Sequence, residues 1–542
     1  MNISGNVVDI KAKRIYTGTV HVERGRISRI DETGPETSGA PYLLPGFIDA
    51  HVHVESSMVV PSEFARMAVV HGTVATVSDP HEIGNVLGVA GVEYMIANGK
   101  QVPFKFYFGV PSCVPATVFE TAGATIGVDD VHALLKKEDV RYLAEMMNWP
   151  GVLYKDADVI AKIALAQRYE KVVDGHAPGL RGEQARSYIE AGMSTDHECF
   201  TAEEALDKLK YGMKIIIREG SAARNFEALI GILADHADSI MFCSDDKHPD
   251  SLEDGHINLL VRRAQAKGLD IFNILKAACI NPVEHYGLSV GQLRAGDAAD
   301  FIVVDNLRDF TVLQTFIDGT LVAERGKTKI GRTPVSIVNA FAIGAKQAVD
   351  FQMAAPKSGQ LRVIEAIDGQ LVTNALLFSP KVVNGFAVAD TERDLLKIAV
   401  VNRYQEARPA VAFIKNFGLT RGAIASSVGH DSHNILVVGV DDESIARAVN
   451  LIIAEKGGVS AVDGTTEYVL PLPVAGIMSA DDGYVVAKQY KHIDALAKGM
   501  GSTLGAPFMS LSFMGLLVIP SLKLSDKGLF DGEDFKLLSE QD

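Results

Sequence analysis

Between residues 43 and 285, short apolar runs rich in β-branched and aromatic residues alternate with stretches whose apolar positions recur at helical spacing. The runs are YLLPGFIDAHVHV, GTVATVSDP, PFKFYFGV, VRYLAEM, KVVDGHA, GMSTDHE, MKIIIREG and SIMFCSDD. Stretches such as PSEFARMAVVHG, DADVIAKIALAQRYE and TAEEALDKLKYG lie between them and read as helices. Eight strands separated by helices predict an α/β chain folded as a TIM-like (β/α)8 barrel, which takes about 250 residues. A doubly wound open sheet is the structural alternative. Neither GxGxxG nor GxxxxGK[ST] follows any run, so nothing points to a cradle for nucleotide phosphate.

The flanks have a different texture. Residues 1–42 alternate in short strand-like pieces separated by turn residues, and β texture returns over residues 286–330. Together they predict a small β-sandwich domain built from both flanks of the barrel. Residues 331–542 read as a further α+β domain, with DLLKIAVVNRY and GAIASSVGHDSHNILVVGV as strand regions and DESIARAVNLIIAEKGG as a helix. The most apolar late run, LGAPFMSLSFMGLLVIPSL (504–522), contains prolines, glycines and serines. A spanning helix needs about 20 mainly apolar residues, so this run is read as buried core.

Composition narrows the function classes. The 542 residues carry 52 basic and 68 acidic side chains, a net charge of -16, which disfavours nucleic acid or an anionic membrane as partner. The four cysteines are widely spaced with no CxxC, so a zinc ribbon, a redox motif or a disulfide framework is not indicated. The N-terminal stretch MNISGNVVDIKAKR lacks the apolar core of a signal peptide, and a cytoplasmic location is expected.

In a barrel of this kind chemistry sits at the C-terminal ends of the strands. Read there, the first strand offers His51 and His53, the fourth Glu145, the fifth His176, the sixth His197 and the eighth Asp245. Imidazole and carboxylate bind divalent transition metals. Two adjacent ions need about six protein ligands, and these residues supply that count. Each alone has an ordinary role: a lone strand-end histidine is usually hydrogen-bonded, and Asp245 could cap the next helix. Their conjunction at strand ends is what such ordinary roles do not cover.

The order HxH, then Glu, His, His and Asp resembles the amidohydrolase superfamily. Within it, PGFIDAHVHVESSM, SDPHEIGNV, MMNWPGV, DGHAPGL, STDHE, REGSAA and SDDKHP resemble the blocks of the bacterial adenine deaminases. So do RGAIASSVGHDSHN and PFMSLSFMGLLVIPSLKLSDKGLFD in the C-terminal segment, so the likeness covers nearly the whole chain. It implies hydrolytic deamination of adenine to hypoxanthine and ammonia in purine salvage, with a pair of divalent ions, manganese or ferrous iron ahead of zinc. It also implies a small purine base as partner, and a homo-oligomer, a dimer or higher, is expected. Another binuclear amidohydrolase, such as an N-acyl deacetylase or cyclic amidase, and a non-catalytic barrel scaffold are the rivals.

The resemblance implies roles. His51, His53, His176 and His197 become metal ligands, Glu145 bridges the ions, and Asp245 binds one ion and moves a proton. Glu55 stands two residues after His53, on the same face if the chain stays extended, and is the candidate for contact with and protonation of the purine ring. His81, Glu82 and Glu219 are further candidates for substrate contact. Two readings are open for His430, Asp431 and His433: local hydrogen bonds in a turn, or a reach from the C-terminal domain to the pocket mouth.

Overall fold

The computed structural model describes residues 1–538; the final residues of the expected 331–542 segment, 539–542, lie outside the described residues. All eight predicted barrel strands form: Phe47–Val52, Thr73–Ser78, Lys105–Val110, Val140–Met146, Val173–Gly175, Thr195–Asp196, Lys214–Arg218 and Ile240–Cys243. The first five pair in parallel in chain order, as do the last three. Parallel bridges from Val173 to Met193 and from Val52 to Asp245 join the two arcs into a closed barrel. Helices cover the outside, which is why the strands read as continuous apolar runs instead of alternating ones.

The flanks meet in one eight-stranded sheet. Its centre is Tyr42–Pro45, which pairs parallel to Asn2–Asp9 on one side and antiparallel to Phe301–Val304 on the other. Strand alternation sends neighbouring side chains to opposite faces. Val7, Leu43, Phe301 and Val303 enter the domain's own core with Val20, Val22, Ile27 and Phe316. Val8, Leu44, Ile302 and Val304 turn the other way, into the core shared with the barrel helices. The expected boundary after residue 42 therefore falls inside a strand, and the barrel begins after Gly46. A Cβ on Gly46 would lie 2.3 Å from Val74 Cγ1, so the chain can cross from sheet to barrel there only with glycine.

The C-terminal segment holds a second eight-stranded sheet. Helix Asp442–Glu455 covers one face, placing Ile445, Ala448, Val449 and Ile452 on Val401, Ala425, Val437 and Val462. The other face carries Ile398, Val400, Ile424, Leu436 and Val438 into the large core that includes the barrel's own side chains. Helix Pro507–Ser512, from the apolar 504–522 run, is buried along its whole length in that core. No helix among the described residues is long and apolar enough to cross a membrane.

One polar network pins the barrel seam. Asp49 on the first strand is fully buried and accepts hydrogen bonds from the Ser244 backbone N–H (2.9 Å), the Ser244 hydroxyl and His256 Nε2 (2.7 Å). His256 Nδ1 in turn meets Thr73 Oγ1 at 2.7 Å, so strands one, two and eight share one hub. Removing one partner of such a buried group leaves the others unpaired, which costs about 3–5 kcal/mol. Asp49→Ala is expected to lose stability on that scale in urea unfolding, with Asp49→Asn intermediate; a loss below about 1 kcal/mol would show that the network carries little.

Candidate active site

The strand ends bring the expected donors together. His51 closes the first strand, and its carbonyl accepts from the Asp245 N–H at 3.0 Å, the bond that also shuts the barrel. Asp245 has φ 54°, a left-handed conformation that aspartate tolerates better than bulkier residues. His53 donates Nδ1–H to the Asp79 carbonyl (3.2 Å), which fixes its tautomer and leaves the Nε2 lone pair free. His176 follows directly on the fifth strand, its backbone N–H held by the Tyr188 hydroxyl at 3.0 Å. A Cβ on the preceding Gly175 would lie 2.4 Å from the Thr195 carbonyl oxygen, so glycine lets strands five and six approach at this point.

Two donor groups result, and Glu145 joins them. His51 Nε2 and His53 Nε2 lie 3.2 Å apart, with Asp245 Oδ1 at 3.8 and 3.4 Å from them respectively. Glu145 Oε1 is 3.4 Å from His53 Nε2, while its Oε2 is 2.6 Å from His176 Nδ1 and 3.1 Å from His197 Nε2. These residues are all buried. Two buried imidazole nitrogens converging beside a carboxylate form the kind of donor set that a divalent cation takes. Their spacings suit donors about 2.1 Å from a common centre. The residues thus fit a divalent metal.

Arg218 sets the electrostatics around this set. Its guanidinium grips both oxygens of Glu198 and donates to Asp245 Oδ2 at 2.7 Å. Asp245 Oδ1 is thereby left to face His51 and His53. Burial pushes the Asp245 carboxyl up, but Arg218 and then His53 outweigh it and hold the pKa well below the ordinary value. Glu145 behaves alike: burial raises it, and His176, His197 and His53 together bring it well below the carboxylate range.

The remaining candidates divide. His81 lines the cavity, with Nδ1 3.4 Å from Glu145 Oε1 and Nε2 3.8 Å from Asp431 Oδ1. Glu82 lines it too, but its two oxygens are taken by His430 Nδ1 and His433 Nε2. Glu55 does not reach the site by strand alternation. The strand ends at Val52, and Val54–Ser57 wind into a 3₁₀ turn that carries Glu55 under the helix His81–Leu87. There Oε1 accepts from the Ile83 N–H (3.2 Å), Oε2 is buried without a partner, and burial followed by Glu82 raises the pKa to about 7. Glu219 turns away: its carboxylate pairs with Arg263 at 2.5 Å on the outer helix Ile257–Ala266, because the chain bends back after strand seven. The local-turn reading of His430 and Asp431 falls as well, since both line the cavity.

Sequence reasoning named no role for Glu198, Arg218 or Asp246, which also line the cavity. The available signal was position. Glu198 follows His197, Arg218 ends the seventh strand, and Asp246 follows Asp245.

Residues 42–322 match the amidohydrolase family, and with this barrel and donor set the chain belongs to it. Residues 370–536 match the adenine deaminase C-terminal domain. The chain is 56% identical to an adenine deaminase of Salinibacter ruber over 542 residues, covering 99% of this chain and 98% of that one. It is 52% identical to one from Methanosarcina mazei over 548 residues (98% of each) and 46% identical to one from Borreliella burgdorferi over 541 residues (98% of each). Within the amidohydrolases it is a member of the adenine deaminase family.

Protein purified from metal-replete cells is expected to carry close to two divalent ions per chain by plasma emission. His51→Ala and His176→Ala should each lower that content and abolish turnover. Full activity after complete chelation would overturn the assignment.

Proposed function

We propose that this chain hydrolyses adenine at C6 to hypoxanthine and ammonia, as an enzyme of purine salvage. The observation that carries the reading is the pair of donor groups joined by Glu145 at the barrel mouth, in a chain related to adenine deaminases over its whole length. His51, His53 and Asp245 would hold one divalent ion and His176 and His197 the other, with Glu145 between them. An all-nitrogen-and-oxygen donor set suits manganese or ferrous iron, and zinc can also occupy it. When bound, such a pair lowers the pKa of water towards neutrality and offsets negative charge developing beside it.

The protein's own groups manage the protons. Asp245 takes the proton released as water adds to C6, because Arg218 detains only its Oδ2 and leaves Oδ1 facing the histidines. Addition places negative charge on the ring nitrogens, and Glu55 is assigned the proton that neutralises it. Its Ile83 hydrogen bond fixes one oxygen and leaves the other without a partner. Asp245 then returns its proton to the amino group, the C6–N6 bond breaks and ammonia leaves, and the C6 hydroxyl proton restores Glu55 as the carbonyl forms.

Loss of adenine absorbance with added manganese tests the activity. Adenine should be turned over far faster than adenosine or AMP, and comparable kcat/KM for adenosine would count against the reading. Glu55→Gln keeps the shape and removes the exchangeable proton. Metal content should stay near normal while kcat falls by about 10²–10⁴, the usual contribution of general acid–base help. A kcat within a few-fold of wild type would strike Glu55 from the mechanism.

A further inference from the structure

Most polar groups lining the cavity are already occupied. His53, Glu145, His176, His197 and Asp245 form the donor set, and Arg218 and Glu198 hold each other. Both oxygens of Glu82 accept from His430 and His433, and Asp246 Oδ1 accepts from the Ser56 hydroxyl at 2.5 Å. Outside the donor set and the Arg218–Glu198 pair, two lining atoms lack partners, His430 Nε2 and Asp431 Oδ2. Both residues are 3% exposed, so water does not satisfy these atoms from outside. A buried polar atom without a partner is uncommon and points to a missing group such as a ligand. Here two of them belong to consecutive residues on a loop of the C-terminal domain.

Their chemistry is that of a donor beside an acceptor. His430 gives Nδ1–H to Glu82, and its Nε2 is 3.7 Å from Asp246 Oδ1, so carboxylates face both ring nitrogens. Burial alone lowers the pKa of His430, but Glu82 and Asp246 outweigh it and raise it to about 9, which keeps a proton on Nε2. The Asp431 carboxylate can only accept while ionised. His81 spans the gap from Glu145, in the donor set, to Asp431. Met147, Leu371 and Leu516 supply apolar wall for the faces of a flat ring.

In adenine the ring atom opposite C6 is N3, an acceptor, and N9, on the far side of C4 along the same edge, carries a hydrogen. With C6 at the donor set, the N3/N9–H edge is the one turned away from it. We propose that the C-terminal domain reads this edge, His430 Nε2–H donating to N3 and Asp431 Oδ2 accepting from N9–H. This rests on the proposed adenine chemistry and adds the groups that would choose the free base. A sugar or methyl group on N9 removes the hydrogen and leaves Asp431 buried without a partner.

The test needs no variant at first. Wild-type enzyme should lose about 10- to 100-fold in kcat/KM with 3-deazaadenine, the range for one hydrogen bond to a charged group. It should lose at least as much with 9-methyladenine. His430→Gln should lower kcat/KM for adenine, chiefly through KM, and shrink the 3-deazaadenine penalty to a few-fold. Asp431→Ala should do the same for the 9-methyladenine penalty, with metal content unchanged in both. Unchanged penalties in the variants would overturn the proposal, as would a wild-type enzyme indifferent to both analogues. If the variants do not fold, the wild-type analogue series alone decides. A wild-type enzyme inert on adenine would instead overturn the proposed function.

Discussion

Glu145 is the constraint on which the site depends. One carboxylate at the end of strand four faces His53 with one oxygen and His176 and His197 with the other. Burying so many ionisable groups together is costly unless each is paired, because the desolvation penalty exceeds any single attraction. Glu145 shares its charge among three imidazoles, and Arg218 shares its own between Asp245 and Glu198. The barrel makes this sharing feasible: every strand end points into the same mouth, so residues distant in sequence arrive at hydrogen-bonding range.

The barrel was legible because its strands are buried on both faces. The consecutive isoleucines of MKIIIREG suit a strand covered on both sides and give no polar face to an amphipathic helix. The ligand set was legible for a related reason. Reading only strand ends removes most of the chain from consideration, and what is left is rich in histidine. Glu55 shows where this fails. Alternation holds only while the chain stays extended, and nothing in HVESS announces that a 3₁₀ turn begins at Val54. Glu219 fails for the converse reason, since a bend one residue past a strand end reverses the side chain towards Arg263. The boundary at 42 was blurred because YLLPGFIDAHVHV is one apolar run serving two sheets, divided only by Gly46.

The contribution of the C-terminal domain could not be read from local pattern. GHDSHN looks like any polar turn between two strands. Its meaning comes from Glu82, about 350 residues earlier, which binds two of its histidines at once. That clamp spans two domains, so the loop is positioned by the barrel it covers and not by its own sheet alone. Completing the cavity and docking the domain are therefore one event, which places groups with spare hydrogen-bonding capacity opposite the donor set.

The placement of Tyr42–Pro45 at the centre of the small sheet has a consequence for synthesis. Its antiparallel neighbour, Phe301–Val304, lies roughly 260 residues downstream. At about 5–20 residues per second, a ribosome takes roughly 13–50 s to make that partner. Throughout this interval the strand has its Asn2–Asp9 neighbour but an open edge on the other side, next to the first strand of a barrel that also awaits its last. An open edge of this kind can pair with other chains. The nascent polypeptide thus carries an open strand edge near its beginning until residues 301–304, made after the last barrel strand, arrive to cover it.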